Sequence, residues 1–406
     1  GVGSTDLPGI GADSRAATSP TIPKRVMPAT LPQPEGAAQY DLVMLPLSRV
    51  EAERLDDQDE LASLRREFVL PEGIVYLDGN SLGPLPRRAV ERVRAVVENE
   101  WGQGLIRSWN EHDWIGLPGR VAAALAPLLG ASADEVAVAD STSVNLYKLL
   151  VGATRLRPGR TVILSEAGNF PTDLYVAQGV RATIEGAELR LVERDEIPHA
   201  LDDTVAVLLL THVDFRTGAM HDVEALTAAA HGAGALVLWD LAHSAGAVPL
   251  ELDRWGVDLA VGCGYKYLNG GPGAPAFAFV ARQLHRDLET PLQGWMGHAE
   301  PFAFETAYRP APGIGRLLCG TPPVLSLAAL ECGVQVMAEA GVDRLREKSV
   351  RLTDLLIALV DQECGGHGLA VVSPLDAARR ASQVSLRHPE AYAIVQALIA
   401  RGVIGD

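Results

Sequence analysis

Short runs of apolar residues, each bounded by turn residues, alternate with helical patterns between about residues 105 and 310. Near-continuous Val, Leu and Ile are typical of strands that are buried on both faces. Alternation of such strands with helices predicts a parallel sheet joined by right-handed crossovers. The sequence therefore predicts an α/β fold built on one large, mostly parallel sheet. The runs that indicate its strands are 136–139, 161–164, 189–192, 205–210 and 235–239.

The size and charge of the chain limit its partners. With 406 residues, of which 48% are hydrophobic, it can bury a large core and form two or more lobes. Its formal net charge of −16 disfavours nucleic acid and anionic membranes, because both need a basic protein face. No apolar stretch approaches the roughly 20 residues that span a bilayer, so we expect no membrane partner. The four cysteines lack metal-ligand spacing, which favours reduced thiols in a cytoplasm and no metal site.

Composition divides the chain into four segments. Residues 1–50 are rich in Gly, Ala, Ser, Thr and Pro without helical or strand periodicity, so we expect a disordered extension. We expect residues 51–104 to contribute to a small domain and residues 105–315 to form the large domain that carries the sheet. Two prolines at 322 and 323 precede a long helical pattern. Residues 316–406 are therefore expected to form the C-terminal part of a small α+β domain.

Polar residues follow several of the predicted strands. Ligands of open parallel sheets bind beyond the carboxyl ends of the strands. The sequence therefore predicts a ligand site at that edge of the sheet. Its candidate residues are Thr142 and Ser143 after the first run, 165–173 after the second, Thr211 after the fourth, and Asp240 and His243 after the fifth.

Lys266 lies in a glycine-rich segment, 264–273, that follows an apolar run downstream of Asp240. Pyridoxal phosphate needs an amine that forms a Schiff base with its aldehyde, and a carboxylate that keeps its ring nitrogen protonated. Glycines beside the amine let a planar cofactor approach the backbone closely. Lys266 and Asp240 together predict a pyridoxal phosphate site, in which Tyr265 is a candidate proton donor.

Each supporting motif also has a structural interpretation, which the residues alone leave open. The turn 140–145 could bind the cofactor phosphate at a helix N-terminus, or serve as an ordinary N-cap. Phe170 could stack on the pyridine ring, or pack in the core beside a turn. Asp240 could pair with an arginine or cap a helix, and His243 could be a structural histidine.

Taken together, six motifs resemble the kynureninase family, and the match runs in order from about residue 58 to the last residue. The motifs are DGNSLGP at 78–84, FPTD at 170–173, DLAH at 240–243, YKYLN at 265–269, GWMGH at 294–298 and GTPP at 320–323. The resemblance implies a fold type I pyridoxal phosphate enzyme. Such an enzyme has a large domain with a mostly parallel seven-stranded sheet between helices, and a smaller α+β domain.

The resemblance also implies roles for individual residues. Lys266 would hold the cofactor and move protons, Asp240 would pair with the pyridine nitrogen, and Phe170 would stack on the ring. Tyr265 is the candidate acid for the second half of the reaction. At the cofactor phosphate, the implied contacts are Thr142, Ser143 and Tyr265. The implied contacts with other parts of the cofactor are Pro171, Thr172, Asp173, Thr211 and His243. Trp295 and Thr321 would reach the cofactor from the partner subunit.

The activity that the resemblance implies is hydrolytic cleavage of L-kynurenine to anthranilate and L-alanine. The 3-hydroxy form of kynurenine is a further candidate substrate, and position 321 favours kynurenine itself. Such an enzyme serves tryptophan catabolism by the kynurenine pathway, which feeds NAD biosynthesis. It would be a cytoplasmic homodimer with active sites at the subunit interface.

Two alternatives stay open. One is another fold type I enzyme, a cysteine desulfurase or a class V aminotransferase, although Cys319 and Cys332 lie in or beside predicted helices rather than on a flexible loop. The other follows from the kynureninase pattern, which continues beyond Asp406 to an arginine that holds the substrate carboxylate. The C-terminal domain is therefore expected to be incomplete, and the chain to bind the cofactor but turn over slowly or not at all.

Overall fold

A computed structural model describes residues 49–406 of the chain. The disorder predicted for residues 1–48 lies outside the described residues. The last two residues of that predicted extension, Arg49 and Val50, belong to the first helix, α1.

The N-terminal part of the described chain consists of short elements and three nine-residue helices. Helix α2 follows Pro86 and continues directly into a π-helical segment, Val96–Gly104. Strands β1 and β3 pair with each other in an antiparallel ladder. The elements are α1 (Arg49–Asp57), β1 (Phe68–Val69), β2 (Val75–Tyr76), β3 (Leu85–Pro86), α2 (Arg87–Ala95), α3 (Ser108–Glu111) and α4 (Leu117–Leu125).

A seven-stranded sheet forms the centre of the structure. All five predicted runs are strands of this sheet, and two shorter strands that follow them complete it. In chain order its elements are β4 (Val136–Val138), α5 (Thr142–Arg155), β5 (Val162–Glu166), α6 (Pro171–Thr183), β6 (Glu188–Val192), α7 (Ile197–Ala200), β7 (Val205–Thr211), α8 (Val223–Gly232), β8 (Leu236–Asp240), β9 (Leu259–Gly262) and β10 (Phe277–Val280).

The strand order is β4-β10-β9-β8-β7-β5-β6. Strands β9, β8, β7, β5 and β6 run parallel to one another, and β10 is antiparallel to both β4 and β9. The predicted α/β fold with a mostly parallel sheet is thus confirmed. Because the parallel strands run in one direction, their carboxyl ends meet along one edge, and Thr211 lies opposite Asp240 there.

Both faces of the sheet are buried, as the apolar runs predict. Successive residues of a strand point to opposite faces. In β8, Val237 and Trp239 pack in one hydrophobic cluster with helix α4, whereas Leu236 and Leu238 pack in a second cluster with helix α5. The sheet is therefore held between two helical layers, which fixes the positions of the strand ends.

The C-terminal part contains two long helices and three short strands. Strands β11 and β12 pair with each other, and β13 pairs in parallel with the N-terminal strand β2. Residues 49–406 lie within one compact unit, so the domain boundaries at 105 and 316 stay a prediction. The elements are α9 (Val324–Ala340), α10 (Val342–Cys364), β11 (Ala370–Val371), β12 (Leu386–Arg387), α11 (Ala391–Ile399) and β13 (Val403–Ile404).

Among residues 49–406, no single helix has both the length and the apolar composition needed to cross a membrane. Helices α9 and α10 meet these criteria only together, and they are bent by 78° relative to each other.

Candidate active site

A cavity of about 130 Å³ opens at the carboxyl edge of the sheet. It brings together most of the residues that the sequence singles out, although they come from segments more than 100 positions apart. Three predicted contacts, Pro171, Trp295 and Thr321, do not line it. The lining residues are Thr142, Ser143, Phe170, Thr172, Asp173, Thr211, Val213, Phe215, Asp240, Ala242, His243, Tyr265 and Lys266.

The loop that carries Lys266 is held by close backbone packing. Gly83, from the DGNSLGP motif, donates its N–H to the carbonyl of Tyr265 at 2.9 Å. A Cβ atom at Gly83 would lie 2.3 Å from the carbonyl oxygen of Lys266 and 2.3 Å from Oδ1 of Asn269. Only glycine fits this contact. The N-terminal motif therefore fixes the backbone from which the Lys266 side chain extends.

The amine of Lys266 points into the cavity. Its Nζ lies 2.7 Å from Nε2 of His243 and 6.0 Å from the centroid of the Phe170 ring. Burial, together with the positive charge of Lys266, lowers the pKa of His243 to about 4. His243 is therefore neutral near pH 7, and its Nε2 can accept a hydrogen bond from the ammonium group.

Two carboxylates lie side by side in the wall of the cavity. Asp240 ends strand β8 and Asp173 lies in the first turn of helix α6, and they are only 5% and 1% exposed. Burial raises the pKa of Asp240, and burial together with the charge of Asp240 raises the pKa of Asp173 well above its usual value. Oδ1 of Asp240 accepts the N–H of Ala242 at 2.7 Å, whereas Oδ2 of Asp173 is buried without a partner.

This pair of carboxylates favours a cationic partner in addition to Lys266, whose charge already acts on both carboxyl groups. A buried acceptor without a hydrogen bond is costly, and two adjacent buried carboxylates favour any cation that enters the cavity. The protonated nitrogen of a pyridine ring is such a partner, and the residues therefore fit the predicted cofactor. No arginine pairs with Asp240 among the described residues, and its capping contact is confined to the turn after β8, where it accepts the N–H of Ala242.

The N-terminus of helix α5 forms the opposite part of the cavity. Ser141 is the N-cap, and its hydroxyl accepts the N–H of Val144 at 3.4 Å. Within the turn 140–145, Ser141 is therefore the residue that caps the helix. Thr142 and Ser143 follow it in the first turn and line the cavity. Free N–H groups and hydroxyls at a helix N-terminus are a favourable site for phosphate.

An ion pair between a buried lysine and a partly exposed aspartate supports this turn. Asp140 has a left-handed backbone, with φ +54°, which is uncommon for a residue other than glycine. Nζ of the fully buried Lys148 donates to Oδ2 of Asp140 at 2.7 Å and to the carbonyl of Leu317 at 2.8 Å. Lys148 thereby joins the turn before α5 to the segment that leads to Thr321.

Phe170 forms a wall of the cavity rather than part of the core. Its side chain is 36% exposed, and its ring meets the edge of Phe215 with centroids 5.2 Å apart. The alternative that placed Phe170 in the core is therefore wrong. Pro171 begins helix α6 directly after it, which fixes the backbone of Phe170 at the helix N-cap.

Tyr265 and Cys263 lie beside Lys266 in the same loop. Burial raises the pKa of Tyr265 to about 12 and that of Cys263 to about 11. Both side chains therefore stay protonated near pH 7. Tyr265 lines the cavity and can donate a proton there, whereas Cys263 is buried behind it.

Trp295 and Thr321 lie elsewhere on the surface. Trp295 is 39% exposed and begins the short 3₁₀ helix Trp295–Gly297, where its ring contacts Phe302. Thr321 is exposed in the loop before helix α9. Both side chains are therefore exposed outside the cavity of their own chain.

Sequence reasoning missed the residues that support the cavity from a distance. Gln383 contacts His243 although 140 positions separate them, and no local pattern marks it. Phe215 lies in the turn after strand β7, where a single aromatic residue gives no periodic signal. The DFRTG sequence at 214–218 could have indicated a structured turn, because Asp214 accepts the backbone N–H groups of Arg216 and Thr217.

The fold and the arrangement of the cavity define a class of protein, the fold type I pyridoxal phosphate enzymes. Solved structures with this fold include a cysteine desulfurase from Thermococcus onnurineus, with a TM-score of 0.71 and 18% identity over 84% of this chain and 86% of that one. Another is C-DES with glycine covalently linked to its PLP cofactor, with a TM-score of 0.73 and 18% identity over 84% and 90% of the two chains. At this identity the likeness shows the fold alone.

Sequence comparison identifies the family within that class. The model of the kynureninase C-terminal domain matches residues 345–406. A kynureninase of Pseudomonas fluorescens is 54% identical over 358 residues, which are 87% of this chain and 86% of the relative. A kynureninase of Burkholderia mallei (strain SAVP1) is 53% identical over 365 residues, 88% of each chain. This chain belongs to the kynureninase family.

Proposed function

We propose that this chain is a pyridoxal phosphate-dependent kynureninase that hydrolyses L-kynurenine to anthranilate and L-alanine. The observation that carries the proposal is one cavity that contains the amine of Lys266, the buried carboxylates of Asp173 and Asp240, and the N-terminus of helix α5. Membership of the kynureninase family selects the substrate.

The residues of the cavity match the functional groups of pyridoxal phosphate. Lys266 would bind the aldehyde, and Asp240 would accept a hydrogen bond from the protonated ring nitrogen, with Asp173 beside it. The face of Phe170 would lie against the ring. The phosphate would be held by the N-terminus of α5 and three hydroxyl groups. The residues that complete this proposed set are Thr142, Ser143 and Tyr265 at the phosphate, Thr172, Thr211 and His243 around the ring, and Pro171 as the support of Phe170.

When bound, the cofactor supplies an electron sink for the bond that breaks at the substrate α-carbon. The side chains of this protein supply the proton transfers. Lys266 would act as the base for the α-proton, because its amine faces the cavity in which the substrate would bind. The hydrogen bond to His243 holds Nζ of Lys266 inside the cavity.

Tyr265 is the proposed acid for the cleavage half of the reaction. Water adds to the γ-carbonyl carbon of kynurenine, the Cβ–Cγ bond then breaks, and anthranilate leaves while Cβ gains a proton. The phenol of Tyr265 stays protonated near pH 7, because burial raises its pKa to about 12. It can therefore donate this proton inside a cavity from which Phe170 and Phe215 help to exclude bulk water.

Three of the four cysteines do not suit the desulfurase alternative. Such an enzyme uses a cysteine thiolate, which needs a lowered pKa and access to the site. Burial instead raises the pKa of Cys263, Cys319 and Cys332. The structural likeness to cysteine desulfurases therefore supports a shared fold rather than a shared reaction.

A homodimer in the cytoplasm is part of the same proposal. Trp295 and Thr321 lie outside the cavity of their own chain, and we infer that they reach the cavity of a second subunit. Large apolar side chains nearby in the sequence, Phe302 and Phe304, are 60% and 77% exposed and would be covered in such an assembly. All four cysteines are free, which suits a reducing cytoplasm.

The activity is tested by mixing the purified chain with pyridoxal phosphate and L-kynurenine, and following anthranilate by its fluorescence. The proposal predicts anthranilate with kynurenine and no sulfide with L-cysteine. Cofactor binding without anthranilate would contradict kynureninase activity for this chain. Sulfide release would support the desulfurase instead. A parallel assay with 3-hydroxykynurenine measures the substrate preference, for which we propose kynurenine.

Shared active sites are tested by complementation between two inactive variants, Lys266→Ala and Trp295→Ala. A mixed dimer contains one site with both native residues and one site with neither. Because half of the dimers are mixed after random exchange, activity should return to roughly a quarter of the parent value. No recovery, in a mixture shown to exchange subunits, would contradict the contribution of Trp295 from the partner.

A further inference from the structure

His243 is the closest hydrogen-bond partner of the Lys266 amine, and its second ring nitrogen contacts Gln383. Nδ1 of His243 lies 3.1 Å from Oε1 of Gln383, while Nε2 of Gln383 donates to the carbonyl of Phe215 at 3.0 Å. Gln383 comes from the C-terminal part of the chain, between strands β11 and β12. It therefore connects that part of the protein to the cavity.

The Phe215 carbonyl determines the direction of every hydrogen bond in the series from Lys266 through His243 and Gln383 to Phe215. The carbonyl of Phe215 can only accept, so the amide NH₂ of Gln383 must face it. The amide oxygen of Gln383 must then face His243, which makes Nδ1 of His243 the protonated ring nitrogen. The other nitrogen, Nε2, carries no proton and accepts from Nζ of Lys266 at 2.7 Å. Every donor points away from Lys266.

The backbone around Gln383 holds its side chain in this orientation. The N–H of Ala381 donates to the carbonyl of Gly218 at 2.8 Å, and the hydroxyl of Ser382 donates to the carbonyl of Ala247 at 3.0 Å. Gly218 has φ +71°, and a Cβ there would lie 2.8 Å from Cγ of Gln383. The turn at Gly218 thus packs directly against the Gln383 side chain and leaves it little freedom.

We propose that Gln383 is a positioning residue that fixes the tautomer of His243, so that an unprotonated Nε2 faces Lys266 and the cofactor. The proposal rests on the proposed function and goes beyond it, because Gln383 does not line the cavity and acts through His243. Without the Gln383 amide, Nδ1–H of His243 loses its acceptor, and of these two contacts only the one with Lys266 still favours the tautomer with an unprotonated Nε2. In the wrong tautomer, Nε2–H would oppose the ammonium group of Lys266, and the amine would lose its acceptor.

Three variants separate this role from simple packing. Gln383→Leu removes the acceptor for Nδ1–H, and Gln383→Asn keeps an amide that is too short to reach both partners. Gln383→Glu keeps an acceptor at Nδ1 but loses the donor to Phe215, so it should preserve the tautomer. The matched control is Gln362→Leu, which removes an exposed glutamine at the end of helix α10.

The tautomer is measured by NMR on the cofactor-free protein labelled with ¹⁵N-histidine, with the His243 signals assigned by His243→Asn. In the parent protein, Gln383→Glu and Gln362→Leu, the proton should reside on Nδ1. In Gln383→Leu and Gln383→Asn it should redistribute toward Nε2. A parent protein with the proton on Nε2, or an unchanged tautomer in both Leu and Asn variants, would overturn the proposal.

A second readout is the affinity for pyridoxal phosphate. Loss of one hydrogen bond in the cofactor site predicts a Kd that is roughly 5- to 10-fold higher in Gln383→Leu and Gln383→Asn. Gln383→Glu should recover most of the affinity, since it restores the acceptor. Recovery by the smaller Asn variant rather than by Glu would indicate a packing role and contradict the proposal. Neither the tautomer measurement nor the cofactor titration uses kynurenine. The role of Gln383 can therefore be disproved while kynureninase activity is confirmed, and kynureninase activity can be disproved while the role of Gln383 is confirmed.

Discussion

Replacing Gly83 by alanine should damage both the stability of the protein and its cofactor site, although Gly83 does not line the cavity. The added Cβ would lie 2.3 Å from the Lys266 carbonyl and 2.3 Å from Oδ1 of Asn269. Ordinary contacts to a Cβ begin near 3.4 Å, so the two backbone segments must separate by about 1 Å. The Lys266 loop must therefore shift.

The expected magnitude combines two effects. Overpacking of a tight interior contact costs about 1–3 kcal/mol. The hydrogen bond from the Gly83 N–H to the Tyr265 carbonyl is strained by the same movement and contributes about 1 kcal/mol more. Together they predict a decrease of about 2–4 kcal/mol in the free energy of unfolding. Because Tyr265 and Lys266 move with the loop, cofactor affinity should fall as well.

Gly79 provides the matched control, since it belongs to the same DGNSLGP motif. A Cβ at Gly79 would meet no atom within 4 Å, so Gly79→Ala should change stability by less than about 0.5 kcal/mol. Urea unfolding followed by circular dichroism measures both variants, and a cofactor titration measures their affinity. Equal unfolding midpoints and equal affinities for the two variants would refute the account of how the motif holds the Lys266 loop.

Three further predictions concern the surroundings of the cavity. Lys148→Met should lower the free energy of unfolding by about 3 kcal/mol, since it leaves the Asp140 carboxylate and the Leu317 carbonyl without their buried partner. The control Lys348→Met, at a partly exposed ion pair, should lower it by less than about 1 kcal/mol. Similar urea unfolding midpoints for the two variants would contradict this prediction. The contribution of His243 to stability should be fully present above about pH 6.5 and be lost as the pH decreases toward 4, because the unfolded state binds a proton at His243 that the folded state, with a pKa of about 4, does not bind. His243→Asn should therefore reduce the loss of stability between pH 7.5 and pH 5 in unfolding curves, and an unchanged loss would contradict this prediction. Phe215→Ala should raise the Kd for pyridoxal phosphate by roughly 2- to 10-fold in a fluorescence titration, because Phe170 loses its edge-to-face ring contact. An unaltered Kd would show that Phe170 does not need this contact to bind the cofactor.

The sequence predicts the sheet well where the strands are long. Strands β5 and β7 contain runs of Val, Ile and Leu whose burial on both faces leaves few alternatives to a parallel sheet. Strands β9 and β10 have only four residues each and include Gly or Ala, so their local pattern does not separate them from a loop. Only the family resemblance implied all seven strands.

The residues of the site are predictable where strand ends carry unusual chemistry. Asp240 directly follows a buried run, and Lys266 lies among glycines, so each signals its position locally. A residue that contacts a site side chain from a distant part of the sequence has no such local signal. Gln383 and Phe215 become visible only when the C-terminal part and the turn after β7 pack against the same histidine and the same aromatic ring. Tertiary contacts of this kind depend on the whole fold.

The central claim is that Lys266 is the residue that binds the cofactor, and borohydride reduction tests it most directly. Reduction makes the bond between pyridoxal phosphate and its lysine permanent, and peptide mass spectrometry then locates the modified residue among the four lysines of the chain, Lys24, Lys148, Lys266 and Lys348. The account predicts one stoichiometric modification, at Lys266, which is absent from Lys266→Ala. A modification at another lysine, or an equal yield in Lys266→Ala, would contradict it.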